Sequence, residues 1–468
     1  MLSIIGFAVI ASVATLLILG RVSPIVGLTL IPLLGAFAAG FSPAEITEFF
    51  ESGLGSVLDV AVMLIFAILF FGVLNDVHLF NPLINFMLRV SRGNIVGICV
   101  GTVLLAAVCH LDGSGATTFL ICIPALLPLY KRLEMSPYLL MLLISTSIGI
   151  MNMLPWGGPV GRAAAVIGLS PIELWHGLIP VQAIGLVLLV GMAAILGLRE
   201  RRRIAARRNT PHMSGVGGRG VDGTEQPPTP SGSGDATDGP ADGPAGSAGS
   251  TDSSNTPGPD LDASPRRPLA NYLLLAVTVG VLLTDMLPAG LVFMVALSLA
   301  LLINTSSVAE QMERVRKHAP NALGTGGIIL AAGAFLGILE ESGMLDSLAG
   351  NMIAFLPEIL VEQLHLVIGF LGMPLELVLS TDAYYFALLP LVDNIAVQQG
   401  VESTTVAYSL IIGNIIGTYI SPFNASVWLA VGMAGVDLGK HIRYSFFWMW
   451  GFTLALFAAS VAIGVIAI

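Results

Sequence analysis

Charge is what this chain most lacks. Asp, Glu, Lys and Arg make up 11% of its 468 residues and hydrophobic types 55%, whereas a soluble domain carries about 25% charged residues. A shortage that deep over so long a chain excludes one large soluble core and points to lipid. Cysteine is scarce as well. Cys99, Cys109 and Cys122 lie in apolar segments without a CxxC or zinc spacing, so they read as small buried hydrophobes. No Walker A lysine loop, HExxH or GxSxG is present, which leaves ATP-driven transport and the commonest hydrolytic chemistries without a basis. The net charge of −10 comes with no basic face that would hold nucleic acid. The first apolar run, Leu2–Gly20, has neither a basic flank nor an A-x-A site, and it reads as a retained helix rather than a signal peptide.

What is present is a succession of apolar runs of membrane-spanning length, about 20 residues each. The pattern breaks once, between Arg199 and Arg267. Glu200–Arg208 is basic, and Asn209–Asp262 is Gly, Pro, Ser, Thr and Asp with little to bury. That composition predicts a disordered linker over 199–267. It separates a first membrane half, 1–198, from a second, 268–468.

The halves resemble each other. FFGVLNDVHLFNPL at Phe70–Leu83 pairs with FLGILEESGMLDSL at Phe335–Leu348, and LPWGGPVGRAAAVIG at Leu154–Gly168 pairs with SPFNASVWLAVGMAG at Ser421–Gly435. The offsets are 265 and 267 residues, so one duplication accounts for both, and such a repeat is a signature of secondary transporters. First-half crossings are expected at about 3–20, 23–41, 56–78, a broken 137–169, and 179–198. Second-half crossings are expected at about 269–286, 288–304, 326–343, a broken 404–436, and 444–467. Each half adds a pair of apolar arms, about 93–130 and about 361–397, that leaves and returns on one side.

With five crossings per half and a linker that stays outside lipid, the second half must be inverted. Arg21, Arg89, Arg92, Lys131, Arg132, Arg199–Arg208, Arg219, Arg266, Arg267, Arg314, Arg316, Lys317, Lys440 and Arg443 then share one side. Glu45, Glu48, Glu51, Glu340, Glu341 and Asp346 fall on the other. The positive-inside rule makes the basic side cytoplasmic, with both termini outside and the linker inside. The tip His110-Leu-Asp-Gly-Ser-Gly-Ala-Thr-Thr118 is too polar to face lipid, and irregular backbone at membrane depth survives only inside protein or along a cavity. The arm pairs are therefore expected as re-entrant hairpins. The fold class is an all-α polytopic membrane protein of two inverted-topology repeats, each with five transmembrane helices, one of them broken, plus a hairpin.

Four polar interruptions carry the function: the tip around Asp112, the break Met151–Arg162, the tip Leu379–Tyr385, and the break from Asn414 through Ser426. Interrupted helices at matching positions point to a midplane site, where half-helix N-termini attract anions and freed oxygens coordinate cations. Arg162 is the one cation of the 20 Lys and Arg not assigned to the cytoplasmic face. It reads either as a static brace to Asp382 or Asp112, or as a bidentate clamp on a substrate carboxylate, and the clamp is favoured. Asp112 and Asp382 suit proton transfer, ligation of a metal carried with the substrate, or capping of a hairpin helix. His110 is a further proton-relay candidate. Ser114, Thr117, Thr118, Asn152, Ser380, Thr381, Asn424 and Ser426 offer neutral oxygens and amides. Trp156 either walls the site or packs.

At these residues the chain resembles a known family. DGSGATTFLICIPALLPLYKRLEMSP, NMLPWGGPVGRAAAVIG, LSTDAYYFALLPL and VGMAGVDLGKH look like the citrate–divalent metal:proton symporters of the ion transporter superfamily, which also holds the sodium–dicarboxylate symporters. The resemblance covers both membrane halves and not the linker. It implies an inverted-repeat fold, a homodimer with a scaffold part and a moving part, and carriage of citrate with a divalent cation such as Mg²⁺ or Ca²⁺. Asp112, Gly113, Gly115, Thr117 and Thr118 would form one tip, faced by Asn152, Pro155, Gly157, Gly158 and Arg162. Asp382 and Tyr384 would match the second tip, and Ser421, Pro422 and Ser426 the second break. The family pattern often has an acidic residue where this chain has Ser114 and an Asn where it has Thr381, which leaves the metal open. A sodium-coupled di- or tricarboxylate symporter of the same fold is the alternative. An ion antiporter has no need of Arg162, and an intramembrane enzyme would need a nucleophile–base pair or metal triad that the sequence does not offer.

Overall fold

The computed structural model describes residues 1–19, 21–79, 81–82, 94–209, 267–284, 286–355 and 357–467. Most of the expected linker, 210–266, lies outside the described residues. So do Arg89, Arg92, Arg219 and Arg266. Among the described residues the chain is helical.

The helix starts follow from local chemistry. α1 spans Leu2–Ile18. In α2, Pro24–Ala39, Ser23 accepts the Val26 N–H, Pro24 opens the helix, and Gly40 closes it at φ +93°. α3, Pro43–Asp76, begins at a capping box in which Ser42 accepts the Glu45 N–H and Glu45 accepts the Ser42 N–H at 2.7 Å. The crossing expected from about residue 56 therefore starts at Pro43. Glu45, Glu48 and Glu51, which precede the expected crossing, belong to the first turns of this helix, started by Ser42, Pro43 and Glu45.

The first arm pair is α4, Ile95–Cys109, and α5, Gly115–Arg132, joined by a short 3-10 turn His110–Asp112. The broken crossing is α6, Pro137–Met151, and α7, Gly158–Ile167. α8 runs Pro171–Asn209, so the basic run Glu200–Arg208 continues the helix rather than opening the linker. The second half repeats the order with α9 (Pro268–Thr284), α10 (Ala289–Asn304) and α11 (Val308–Glu341). α12, Met344–Phe355, was not anticipated. Then come α13 (Leu364–Glu376), a single turn Thr381–Ala383, a π-helical turn Tyr384–Leu388, and α14 (Leu389–Gln398). The second break separates α15 (Ser403–Asn414) from α16 (Ala425–Ala434), and α17 spans Leu438–Ala462.

Lengths and offsets agree between the halves. α2 and α10 are both 16 residues and start 289 − 24 = 265 apart. α3 and α11 are both 34 residues and start 308 − 43 = 265 apart. α7 and α16 are both 10 residues and start 425 − 158 = 267 apart. A 34-residue helix is about 51 Å long, which exceeds a hydrocarbon core of about 30 Å. Among the described residues α3, Ile95–Asp112, Pro171–Arg207, α11 and α17 are long and apolar enough to cross a membrane.

Two groups of helices form. α3 and α11 pack against each other, with α1, α2, α9, α10 and α12 around them. Their crossing is set by small residues: a Cβ on Gly53 would overlap the Gly333 carbonyl oxygen and the Gly337 backbone, so the two backbones touch directly. The second group holds the arm pairs, the broken helices, α8 and α17. There α13 meets α15 where Gly372 lies against the Gly413 backbone. The site lies where the groups meet.

Candidate functional site

A cavity of about 310 Å³ opens between α3, α11 and the first tip. Asp112, Gly113, Ser114, Gly115 and Thr117 line it from the tip, Trp156, Gly158 and Arg162 from the first break, and Ser426 from the second. The wall opposite carries Gly72 and Asn75 from α3 and His318, Asn321 and Thr325 from α11.

The first tip is held by its own polar atoms. The Ser114 N–H donates to Asp112 Oδ1 at 2.8 Å, and Ser114 Oγ caps α5 by accepting the Thr117 N–H at 3.3 Å. Gly113 turns the chain at φ +72°. Trp156 Nε1 donates to the Leu111 carbonyl at 2.9 Å, and its ring packs tilted against Phe71 and Trp175 and edge-on to Phe293. Trp156 thus packs and pins the tip at once. His110 is fully buried and its Nδ1 lies 3.1 Å from Thr118 Oγ1, so both residues sit behind the tip.

α7 presents a positive corner. Its N-cap is Gly157, which has no side chain to cap the first turn. Pro159 carries no N–H, and of the first-turn residues it is Gly158 that borders the cavity, where its N–H can face an anion. One turn on, Arg162 folds back over Gly158. Its Nε donates to Asp382 Oδ1 at 2.7 Å, with the two side chains 15% and 14% exposed. The structure thus contains the brace to Asp382, while Arg162 also borders the cavity. Asp382 reaches the site through that pair.

The other expected residues are placed as follows. Ser380 caps the second tip by accepting the Ala383 N–H at 3.2 Å. Tyr384 is fully buried and donates to the Leu410 carbonyl at 3.3 Å. Asn152 is 3% exposed at the end of α6. Asn424 caps α16 through the Ser426 N–H at 3.0 Å and donates to the Thr418 carbonyl. Ser421 Oγ donates to the Glu376 carbonyl at 2.7 Å, and Thr381 Oγ1 donates to Glu376 Oε1 at 2.5 Å.

Glu376 was missed. It ends an apolar arm and is fully buried; a single carboxylate in GFLGMPLELVLS was the available signal. His318 was missed as well, hidden in the basic segment Arg314–His318. Its Nε2 lies 3.0 Å from Asp76 Oδ2 while Lys317 Nζ reaches Asp76 Oδ1 at 2.5 Å. Gly72 leaves room for that imidazole, since a Cβ there would strike the ring. Among the described residues no three His, Cys, Asp or Glu side chains converge as a metal site.

A model of citrate transporters matches residues 7–413. The chain belongs to the citrate transporter family. Over the full length of both chains it is 32% identical to a citrate transporter of Bacillus subtilis and 31% identical to that organism's Mg²⁺/citrate complex secondary transporter. Among solved structures it is similar to the YdaH transporter of Alcanivorax borkumensis, described as having an unusual topology. That likeness has a TM-score of 0.55 at 14% identity, covers 91% of this chain and 90% of the other, and speaks to fold alone. This member of the citrate transporter family is a membrane transporter, not an enzyme.

Proposed function

We propose that the protein takes up citrate as a complex with a divalent cation, in symport with protons. The observation that carries this reading is the corner made by Arg162 and the start of α7, which borders the same cavity as Asp112, Ser114 and Thr117. A guanidinium and the Gly158 N–H suit carboxylates, and the oxygens of the first tip suit the cation that the citrate holds. The Mg²⁺/citrate complex named for one relative supports the metal as cargo. Asp112 would then meet the metal on the substrate, while Asp382 would act through Arg162.

The same proposal gives the chain two inverted repeats with re-entrant hairpins. Equal helix lengths at offsets of 265 and 267 support duplication, and the basic residues that an inverted second half would gather on one side support inversion. Under it both termini lie outside, the linker lies in the cytoplasm, and the cavity, with Asn75 and His318 at its wall, opens inward. The two helix groups suit a scaffold and a moving part within a homodimer. A sodium-coupled carboxylate symporter is the second reading, favoured by neutral oxygens such as Ser114 and Thr117 at the broken elements.

Labelled citrate uptake into proteoliposomes tests these readings, with Mg²⁺, Ca²⁺, Ni²⁺ or a chelator, at clamped pH and with or without sodium. Uptake that needs the metal and a pH gradient supports the proposal. Uptake that needs sodium and ignores both replaces it with the second reading.

A further inference from the structure

We infer that Glu376 carries the coupling proton, on Oε1, in a pocket separate from the citrate cavity. The inference rests on the symport reading above and adds the residue and the atom. Glu376 is fully buried at the end of α13, and an ionisable side chain inside a membrane domain without a bonded cation marks a functional site. Its carboxyl oxygens meet different partners. Oε1 faces Thr381 Oγ1 and Oε2 faces Asn414 Nδ2, each at 2.5 Å. Tyr385 donates its hydroxyl to Asn414 Oδ1 at 3.3 Å, which turns the Asn414 amide nitrogen toward Glu376.

These partners decide where a proton goes. An amide nitrogen only donates, so Oε2 must stay an acceptor. A threonine hydroxyl both donates and accepts, so the Thr381 hydroxyl can rotate and accept from a protonated Oε1. One O–H bond forms on uptake and the same bond breaks on release; the proton is drawn from water on one side and returned to the other. Both carboxyl oxygens thus keep a partner in either state without a change of frame. The first hairpin has His110 at the corresponding place, four residues before the capping Ser114, as Glu376 is four before the capping Ser380. His110 likewise sits beside a threonine hydroxyl.

Coupling to citrate runs through Arg162. Among the described residues the charged groups that act on Glu376 are Arg162 from α7 and Asp382 from the turn Thr381–Ala383, and Tyr384 and Tyr385 are its titratable neighbours. Arg162 neutralises Asp382 through their ion pair. A citrate carboxylate that takes Arg162 leaves Asp382 and Glu376 as two negative groups in one buried region, and a proton on Glu376 relieves that.

The test compares wild type with Glu376→Gln, a substitution that keeps an acceptor oxygen for Asn414 and a donor toward Thr381. Full-length proteins are reconstituted without sodium and assayed for citrate exchange, for accumulation driven by a pH gradient, and for proton uptake when Mg²⁺ and citrate are added in weak buffer. Glu376→Gln is expected to retain exchange but to lose accumulation and proton uptake. If it still accumulates citrate, the assignment to Glu376 is wrong while symport stands. A wild type that does not respond to the pH gradient removes the symport reading and this inference with it. Should Glu376→Gln fail to fold, Glu376→Asp keeps a carboxyl group but moves it away from Thr381. Its uptake should show a shifted pH dependence, and an unshifted profile overturns the inference.

Discussion

Arg162 Nε donates to Asp382 Oδ1 at 2.7 Å, tying α7 in one half of the chain to the single turn Thr381–Ala383 in the other. The pair places Arg162 beside the cavity with an internal carboxylate already on it. On the clamp reading proposed above, a substrate carboxylate would compete with Asp382 for Arg162, which would link binding to the position of the Thr381–Ala383 turn. The partial exposure of both side chains leaves the pair able to open.

The α3–α11 crossing gives a test of packing. Gly53→Ala places a methyl group against the Gly333 and Gly337 backbones. Overpacking of this kind costs about 1–3 kcal/mol, and more where backbone must move. Gly55, two residues on, has open space around it, and Gly55→Ala should be neutral or stabilising by about 0.5–1 kcal/mol. Melting temperatures in detergent should separate the two; equal values would remove direct backbone contact as the reason for Gly53.

Sidedness can be read with a membrane-impermeant thiol reagent. Cys99, Cys109 and Cys122 are buried and should stay unlabelled. A cysteine at Glu48 should react from outside, and one at Lys440 only from the cytoplasm. Labelling of both from one side would sink the inverted arrangement.

Asp112 separates charge from shape. An Asn there can accept the Ser114 N–H as Asp112 Oδ1 does, whereas Ala cannot. If the tip needs only its cap, Asp112→Asn should transport normally and Asp112→Ala should lose stability by about 0.5–2 kcal/mol. If Asp112 meets the metal on citrate, Asn should keep the melting temperature and lose metal-dependent uptake. The second outcome is expected.

Much of this site was legible because polar residues interrupt apolar runs. Asp112, Arg162 and Asp382 stand out for that reason, and the first two line the cavity. Glu376 did not stand out because it reads as the end of an arm, and nothing local says that Asn414, 38 residues away, closes over it. His318 was hidden differently. Its segment is basic and reads as a cytoplasmic loop, yet the Ser307 cap starts a helix that carries it to the cavity wall. The caps at Ser42 and Ser307 were readable; the long-range pairings, such as Trp156 with Leu111, depend on tertiary packing.

Arg162 itself decides between clamp and brace. A guanidinium fork holds two oxygens of one carboxylate at once, which an ammonium does not reproduce. Arg162→Lys should preserve the fold, since charge remains beside Asp382, yet weaken citrate binding. Loss of a charge-assisted hydrogen bond costs about 1.5–3 kcal/mol, or roughly ten- to a hundredfold in affinity. Arg162→Ala should bind at least as weakly and also melt earlier, because Asp382 is left without its cation. Breaking a fully buried pair costs about 3–5 kcal/mol, and the 15% and 14% exposure of these side chains lowers the expected loss. Adding Asp382→Asn to Arg162→Ala should return most of the stability but none of the citrate affinity. Asp382→Asn alone should leave Arg162 free for substrate and bind citrate no worse than the parent. A pure brace predicts the reverse pattern, with affinity tracking stability through all four variants. Calorimetric citrate affinity and melting temperature, measured on each, distinguish the two, and parental affinity in Arg162→Lys would end the clamp hypothesis.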